Sequence, residues 1–210
     1  MEKYILALVL TLFSPGHTLS ANTPEYDGNW WMAQTYESRK AFLLGYDDCY
    51  VDTIGNKRIP GILERTMIVG ITEFYQSPGD ISVGVSRVIK SLGQRYKNRP
   101  PVESPGGEKW PEKHRFLDGM YWLGAEESIR LSFVSGFIEC ANNESKSHFR
   151  FAGAPIEYVK VLNLWYQDVK NGPEETREKA KIADVLLRFA DKKDPFTKPK
   201  RESVASPKHK

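Results

Sequence analysis

Two acids and two cysteines are the side chains whose placement could do chemistry. Asp48 and Glu139 each stand immediately before a cysteine, Cys49 and Cys140, and the chain holds no further cysteine. Two carboxylates brought face to face can divide the roles of general acid and general base, the arrangement used to hydrolyse glycosidic bonds. Asp48 and Glu139 are therefore the candidate catalytic pair of a cell-wall or glycan hydrolase. The competing reading is a pair of solvated or salt-bridged acids, with Arg39 and Arg130 as the cations. The cysteines lack the C-x-x-C spacing of a redox motif. A structural disulfide between Cys49 and Cys140 suits them better, and the alternative is two small buried residues. The histidines, His17, His114, His148 and His209, are scattered, and no pair has zinc-ligand spacing, so no metal site is expected. No nucleophile elbow of a serine hydrolase is present, and no cofactor is expected.

What would bring the acids and cysteines together is an internal repeat, the first thing to look for in a chain. Residues 27–49 align without a gap on residues 118–140, and seven of these 23 positions are identical. They are Asp27/Asp118, Gly28/Gly119, Trp31/Trp122, Arg39/Arg130, Phe42/Phe133, Gly45/Gly136 and Cys49/Cys140. The same 91-residue shift pairs Phe74-Tyr75-Gln76 with Trp165-Tyr166-Gln167. Gly45-x-x-x-Cys49 and Gly136-x-x-x-Cys140 each put two small residues one turn apart on a helix face. Such a face admits a second backbone at close range, and in a duplicated protein the natural partner is its own copy. Gly45, Gly136, Phe42 and Phe133 are thus expected to pack where the repeats meet, with the cysteines opposite each other.

The apolar periodicity predicts three helices per repeat. In the first repeat they cover residues 36–52, 61–76 and 81–92, with Pro60 near the start of the second. In the second they cover residues 126–141, 155–168 and 174–190, and Glu174-Glu175 favours the start of the last. Asp27-Gly28-Asn29 reads as a turn, and Phe149 and Phe151 fall in an ambiguous stretch. The fold expected is all-α: two tandem three-helix repeats packed about a pseudo-twofold axis. A three-helix unit of this size buries little surface alone, so the repeats, 22–93 and 116–191, should pack on each other across a Pro- and Gly-rich linker, 94–115.

The ends are read separately. Residues 1–21 combine a short charged start, an apolar run from Tyr4 to Phe13, and small residues at the end, which predicts a secretory signal peptide. The run is too short to span a bilayer, and no later segment is apolar enough, so no transmembrane segment is expected after signal removal. The net charge of +3 arises in residues 192–210, which carry seven Lys/Arg against two acids. The body is slightly acidic, which argues against nucleic-acid binding. The tail is poor in apolar residues and is expected to be disordered. Aromatics are plentiful at 12%. Trp31, Trp122, Tyr75 and Tyr166 recur at equivalent places and are either inter-helix packing or a possible binding surface for sugars or protein.

The run Ala41-Phe42-Leu43-Leu44-Gly45-Tyr46, then a Pro-Gly-initiated helix ending in an aromatic, a Pro-containing turn and a short third helix, resembles a family of small exported helical proteins. These are the Tai-type immunity proteins of bacterial type VI secretion, which block cell-wall amidase toxins in the periplasm. The likeness covers Arg39 to Leu92 and less of the second repeat; the duplication, the basic tail and the cysteine pattern depart from it. What it implies is a periplasmic or secreted binding role with another protein or an envelope component as partner. The expectation is an exported, non-catalytic helical binding protein, and the alternative is the hydrolase built on Asp48 and Glu139.

Overall fold

The computed structural model describes residues 26–54, 58–62, 65–97, 117–144 and 147–192. The expected signal peptide, most of the expected linker and the basic tail beyond Lys192 lie outside the described residues. Within them the chain is mostly helical. The order is α1 (Gly28–Ala33), α2 (Tyr36–Cys49), α3 (Arg65–Phe74), α4 (Val85–Lys97), α5 (Gly119–Gly124), α6 (Glu127–Asn143), β1 (Phe149–Arg150), α7 (Pro155–Gln167), α8 (Glu174–Lys179), α9 (Ile182–Leu186) and β2 (Asp191–Lys192). The two strands form a short antiparallel ladder, with Phe149 opposite Lys192 and Arg150 opposite Asp191. No described helix is long and apolar enough to cross a membrane.

The caps explain where helices begin. Asp27 is not only a turn residue: its carboxylate accepts from Trp30 N at 3.0 Å and starts α1. Asp118 does the same for α5, accepting from Tyr121 N at 3.2 Å. Thr35 caps α2 by accepting from Ser38 N at 3.1 Å. Glu157 reaches back to accept from Ala154 N at 3.2 Å, and Pro155 occupies the first turn of α7, where its missing N–H costs nothing.

Several boundaries differ from expectation. The first long helix stops at Cys49 and continues as a π-type turn, Tyr50–Ile54, in which Thr53 donates to the Cys49 carbonyl at 2.7 Å. The second helix begins at Arg65, after a turn in which Gly61 has a φ of 74°. The third begins at Val85, after a single 3-10 turn, and runs to Lys97, so the linker cannot start at Gln94. The expected final helix is split at Ala180: α8 and α9 are separated by two extended residues, Ala180 and Lys181, and a 3-10 turn, Leu187–Phe189, leads into β2.

The core is organised on the α2–α6 crossing, the most extensive helix–helix contact among the described residues. Gly45 lies against the carbonyl oxygen of Phe133, and Gly136 against the carbonyl oxygen of Phe42. A Cβ at either glycine would overlap that oxygen. Phe42 and Phe133 are fully buried beside them, as expected of packing residues at this junction. One turn on, Cys49 and Cys140 form a buried disulfide with Cα atoms 6.2 Å apart.

Around this crossing the same bonds occur at two places in the chain. Trp31 Nε1 donates to Thr72 Oγ1 at 3.1 Å, and Trp122 Nε1 donates to Asn163 Oδ1 at 2.8 Å. Arg39 bonds Thr72 Oγ1 and the Met32 carbonyl; Arg130 bonds Asn163 Oδ1 and the Leu123 carbonyl. Each guanidinium carbon stands 5.6 Å from the indole centroid of its tryptophan, a cation–π contact. Val85 N donates to the Tyr26 carbonyl as Ile182 N does to that of Leu117.

Candidate functional site

Asp48 and Glu139, the candidate catalytic acids, sit on α2 and α6 beside the disulfide and are only 4% and 6% exposed. Their charges contribute to the raised pKa of buried tyrosines. The Tyr166 phenol is raised in pKa by burial first, then by Asp118, Asp184 and Asp48, with Arg188 opposing. The Tyr75 phenol is raised by burial, then by Asp27 and Glu139. Both acids are thus buried in the core, and neither lines the cleft described below.

Polar groups near the crossing form a network that involves both helices. Tyr46 of α2 donates its hydroxyl to Glu144 Oε1 at 2.7 Å, and Lys90 of α4 approaches the same oxygen at 2.9 Å. Burial raises the Tyr46 phenol well above its ordinary pKa, and the Glu144 charge and hydrogen bond raise it further. Asp47, fully buried, has Arg58 Nε 3.6 Å away. This arrangement ties the end of α6 to α2 and α4, and it offers fixed charge rather than a reactive group. The expectation that Arg39 and Arg130 neutralise Asp48 and Glu139 is replaced: both guanidinium groups bond to backbone carbonyls and to Thr72 or Asn163.

The four aromatics considered as a possible binding surface are core residues. Trp31, Trp122, Tyr75 and Tyr166 are each no more than 3% exposed. Their polar ends are used internally: the indole N–H groups as above, Tyr75 Oη on the Val83 carbonyl at 2.8 Å, and Tyr166 Oη on the Ala180 carbonyl at 3.0 Å. A buried aromatic with a satisfied polar tip packs a core and cannot meet a partner. The large side chains that do reach solvent include Met120 and Leu123 of α5, Leu164 of α7 and Met32 of α1.

The sequence reading overlooked a cleft of about 860 Å³ at the C-terminal end of α6. Its walls include Ile138, Asn142 and Asn143 of α6, Arg150 of β1, Gly153 and, from β2, Asp191. Asn142 holds one side of it by bonding both backbone groups of Phe151, donating to O at 3.0 Å and accepting from N at 2.9 Å. Asn143, part of an Asn-x-Ser glycosylation pattern, instead donates to the Glu139 carbonyl within the helix at 3.0 Å. The signal for this cleft lay in the alignment itself. Arg150 and Gly153 fall 91 positions after Ile59 and Ile62, two core residues. Among the described residues no group of three or more His, Cys, Asp or Glu side chains is arranged to hold a metal ion. Comparison with protein-family models, with curated proteins and with solved structures gives no match.

Proposed function

We propose that this chain is an exported, non-catalytic helical binding protein of the cell envelope, of the kind that acts as an immunity-type inhibitor of an envelope-targeting toxin. The observation that carries the reading is the burial of Asp48 and Glu139, each next to a cysteine of the disulfide-linked crossing. A general acid must reach a substrate, and these two are committed to architecture. Export is supported by the Cys49–Cys140 bond, since disulfides persist in oxidising compartments. In this reading the segment 1–21 is the signal peptide.

The scaffold in this reading is a tandem duplication, residues 22–93 and 116–191, packed about a pseudo-twofold axis. The reciprocal glycine contacts support it, Gly45 on Phe133 and Gly136 on Phe42. So do the two tryptophan–arginine clusters, whose bonds span the same sequence separations of 41 and 33 residues in both halves. The Tyr75 bond reaches eight residues on and that of Tyr166 reaches 14, so a longer loop precedes the last helices of the second half.

The test is affinity capture from envelope extract with the oxidised mature chain as bait. A single protein retained in stoichiometric amount, and released by the free chain, is the expected result. Failure to retain any envelope protein, together with cell-wall hydrolysis that Asp48→Asn or Glu139→Gln abolishes without unfolding, would reverse the assignment in favour of the hydrolase.

A further inference from the structure

We propose that the cleft between the end of α6 and β1 is where the partner docks, and that it takes a segment presenting a tyrosine beside an acidic residue. This deepens the binding function proposed above and rests on it, including the equivalence of the two halves.

The first half shows what normally fills this space. There Ile59 and Ile62 are buried, and α4 continues to Lys97 so that its last turns cover them. Gly93 abuts the Ile59 side chain, and Tyr96 lays its ring against Gly61 and its hydroxyl against Gly70. The Tyr96 hydroxyl donates to the Thr66 carbonyl at 3.3 Å. The first half is plugged by its own helix and its own tyrosine.

Among the described residues the second half lacks these plugs. The counterparts of Ile59 and Ile62, 91 residues on, are Arg150 and Gly153: an exposed guanidinium, and no side chain at all. The last helix is broken too, since α9 ends at Leu186 and the chain turns into β2. The result is the open cleft rather than a collapsed one, because its walls are held. Asn142 pins Phe151, and Gly153 N donates to the Tyr158 hydroxyl at 3.2 Å. A pre-formed site loses little ordering entropy when it is filled.

The chemistry of the rim selects the occupant. Arg150 is exposed and has no carboxylate within ion-pair distance among the described residues, although Asp191 is its neighbour across the ladder. A guanidinium fork matches a carboxylate, which gives the acidic residue of the segment its place. Asp191, beside Arg150 on the paired strand, is the acceptor for the incoming phenol. The ring takes the position over Ala152 and Gly153 that Tyr96 takes over Gly61 in the other half.

The probe is the dipeptide acetyl-Glu-Tyr-amide, titrated into the oxidised, isotope-labelled full chain and followed by amide NMR. Saturable shifts confined to Asn143, Arg150, Gly153 and Asp191 are expected, with affinity reduced tenfold or more by Arg150→Glu. Gly153→Ile, which restores the plug of the first half, should also abolish binding; a Cβ there meets the Glu157 carboxylate, which would have to leave its cap on Ala154 N. If that variant fails to fold, Arg150→Gln, at an exposed position, carries the comparison. The proposal falls if no saturable shift occurs, if the shifts lie elsewhere, or if the Arg150 variants bind as the parent does. It falls equally if binding is seen only after Phe196→Ala, which would make the chain's own tail the occupant. Undiminished capture of an envelope protein by Arg150→Glu would refute the cleft while leaving the binding function standing. Dipeptide binding with no captured protein would do the reverse.

Discussion

Two glycines and three tyrosines carry the sharpest consequences at the scale of single residues. Gly45→Ala and Gly136→Ala each drive a methyl into a backbone carbonyl, of Phe133 and of Phe42, and neither helix can yield without moving the other. Overpacking of this kind costs about 1–3 kcal/mol or more. Gly79→Ala and Gly124→Ala meet nothing within 4 Å and serve as neutral controls. Urea denaturation of the four variants should separate them into two destabilised and two unchanged. The tyrosines set a limit at high pH. Burial raises the phenols of Tyr46, Tyr75 and Tyr166 above the ordinary value of about 10. The unfolded chain therefore releases these protons first. The stability they support is complete below about pH 10 and falls as pH climbs from there towards the folded-state values. Tyr166→Phe removes one such proton, so the variant's stability should decline less steeply than the parent's in thermal melts taken between about pH 9 and 11. An equal or steeper decline would show that this phenol does not limit alkaline stability.

At the scale of elements, the disulfide and the crossing act as one joint. Cys49 and Cys140 lie 91 residues apart in sequence, so reduction frees a long loop in the unfolded chain. The chain-entropy model assigns such a closure about 4–5 kcal/mol. Denaturation with and without reductant, or of Cys49→Ala/Cys140→Ala, should show a midpoint drop of that order with a native-like far-UV spectrum retained in buffer. The joint was legible in the sequence because glycine and cysteine one turn apart leave few physical options, and because the motif occurs twice. The long helices were legible for a similar reason, their apolar stripes running for three turns or more. The short helices α1 and α5 were not, since six residues give less than two turns of periodicity and Asp-Gly also starts turns. Nor was the break at Ala180 foreseen: Ile182, Val185, Leu186 and Phe189 keep helical spacing through it. The Ala180 and Leu117 carbonyls instead take hydrogen bonds from Gly119 and Ile182, pulling the chain out of the helix. The cleft was missed because an alignment draws the eye to matching positions, and Arg150 and Gly153 differ from Ile59 and Ile62. The aromatics misled in the opposite sense: Trp31, Trp122, Tyr75 and Tyr166 look like contact residues by type, yet their partners Thr72, Val83, Asn163 and Ala180 are too remote in sequence to identify from the chain alone.

The molecule as a whole should unfold as one unit, and the reason lies in where each half keeps its apolar surface. Trp31 and Trp122 sit in separate clusters, each closed by its own arginine and its own hydrogen-bond acceptor. Taken alone, those clusters would let the halves melt independently. The helices that complete them, α2 and α6, nevertheless spend one face on each other, with Phe42, Phe133, Tyr46 and Phe137 all fully buried. Pulling α2 from α6 would break the Tyr46–Glu144 bond and uncover apolar surface on both helices. Burial of each large apolar side chain so uncovered is worth about 1.5–3 kcal/mol. That loss is comparable to the entire stability of a small domain, about 5–15 kcal/mol. Neither half should therefore survive the loss of the other. Tryptophan fluorescence, far-UV ellipticity and calorimetry should give coincident transitions in the oxidised chain, the signature of two-state unfolding. Hydrogen exchange supplies the discriminating measurement. Gly136→Ala lies on α6, yet it should lower protection in α3 and α4 as much as in α7 and α9, because the carbonyl it displaces belongs to Phe42 of α2. Lowered protection confined to α7 and α9 would mean that the crossing joins two independent units rather than building one core.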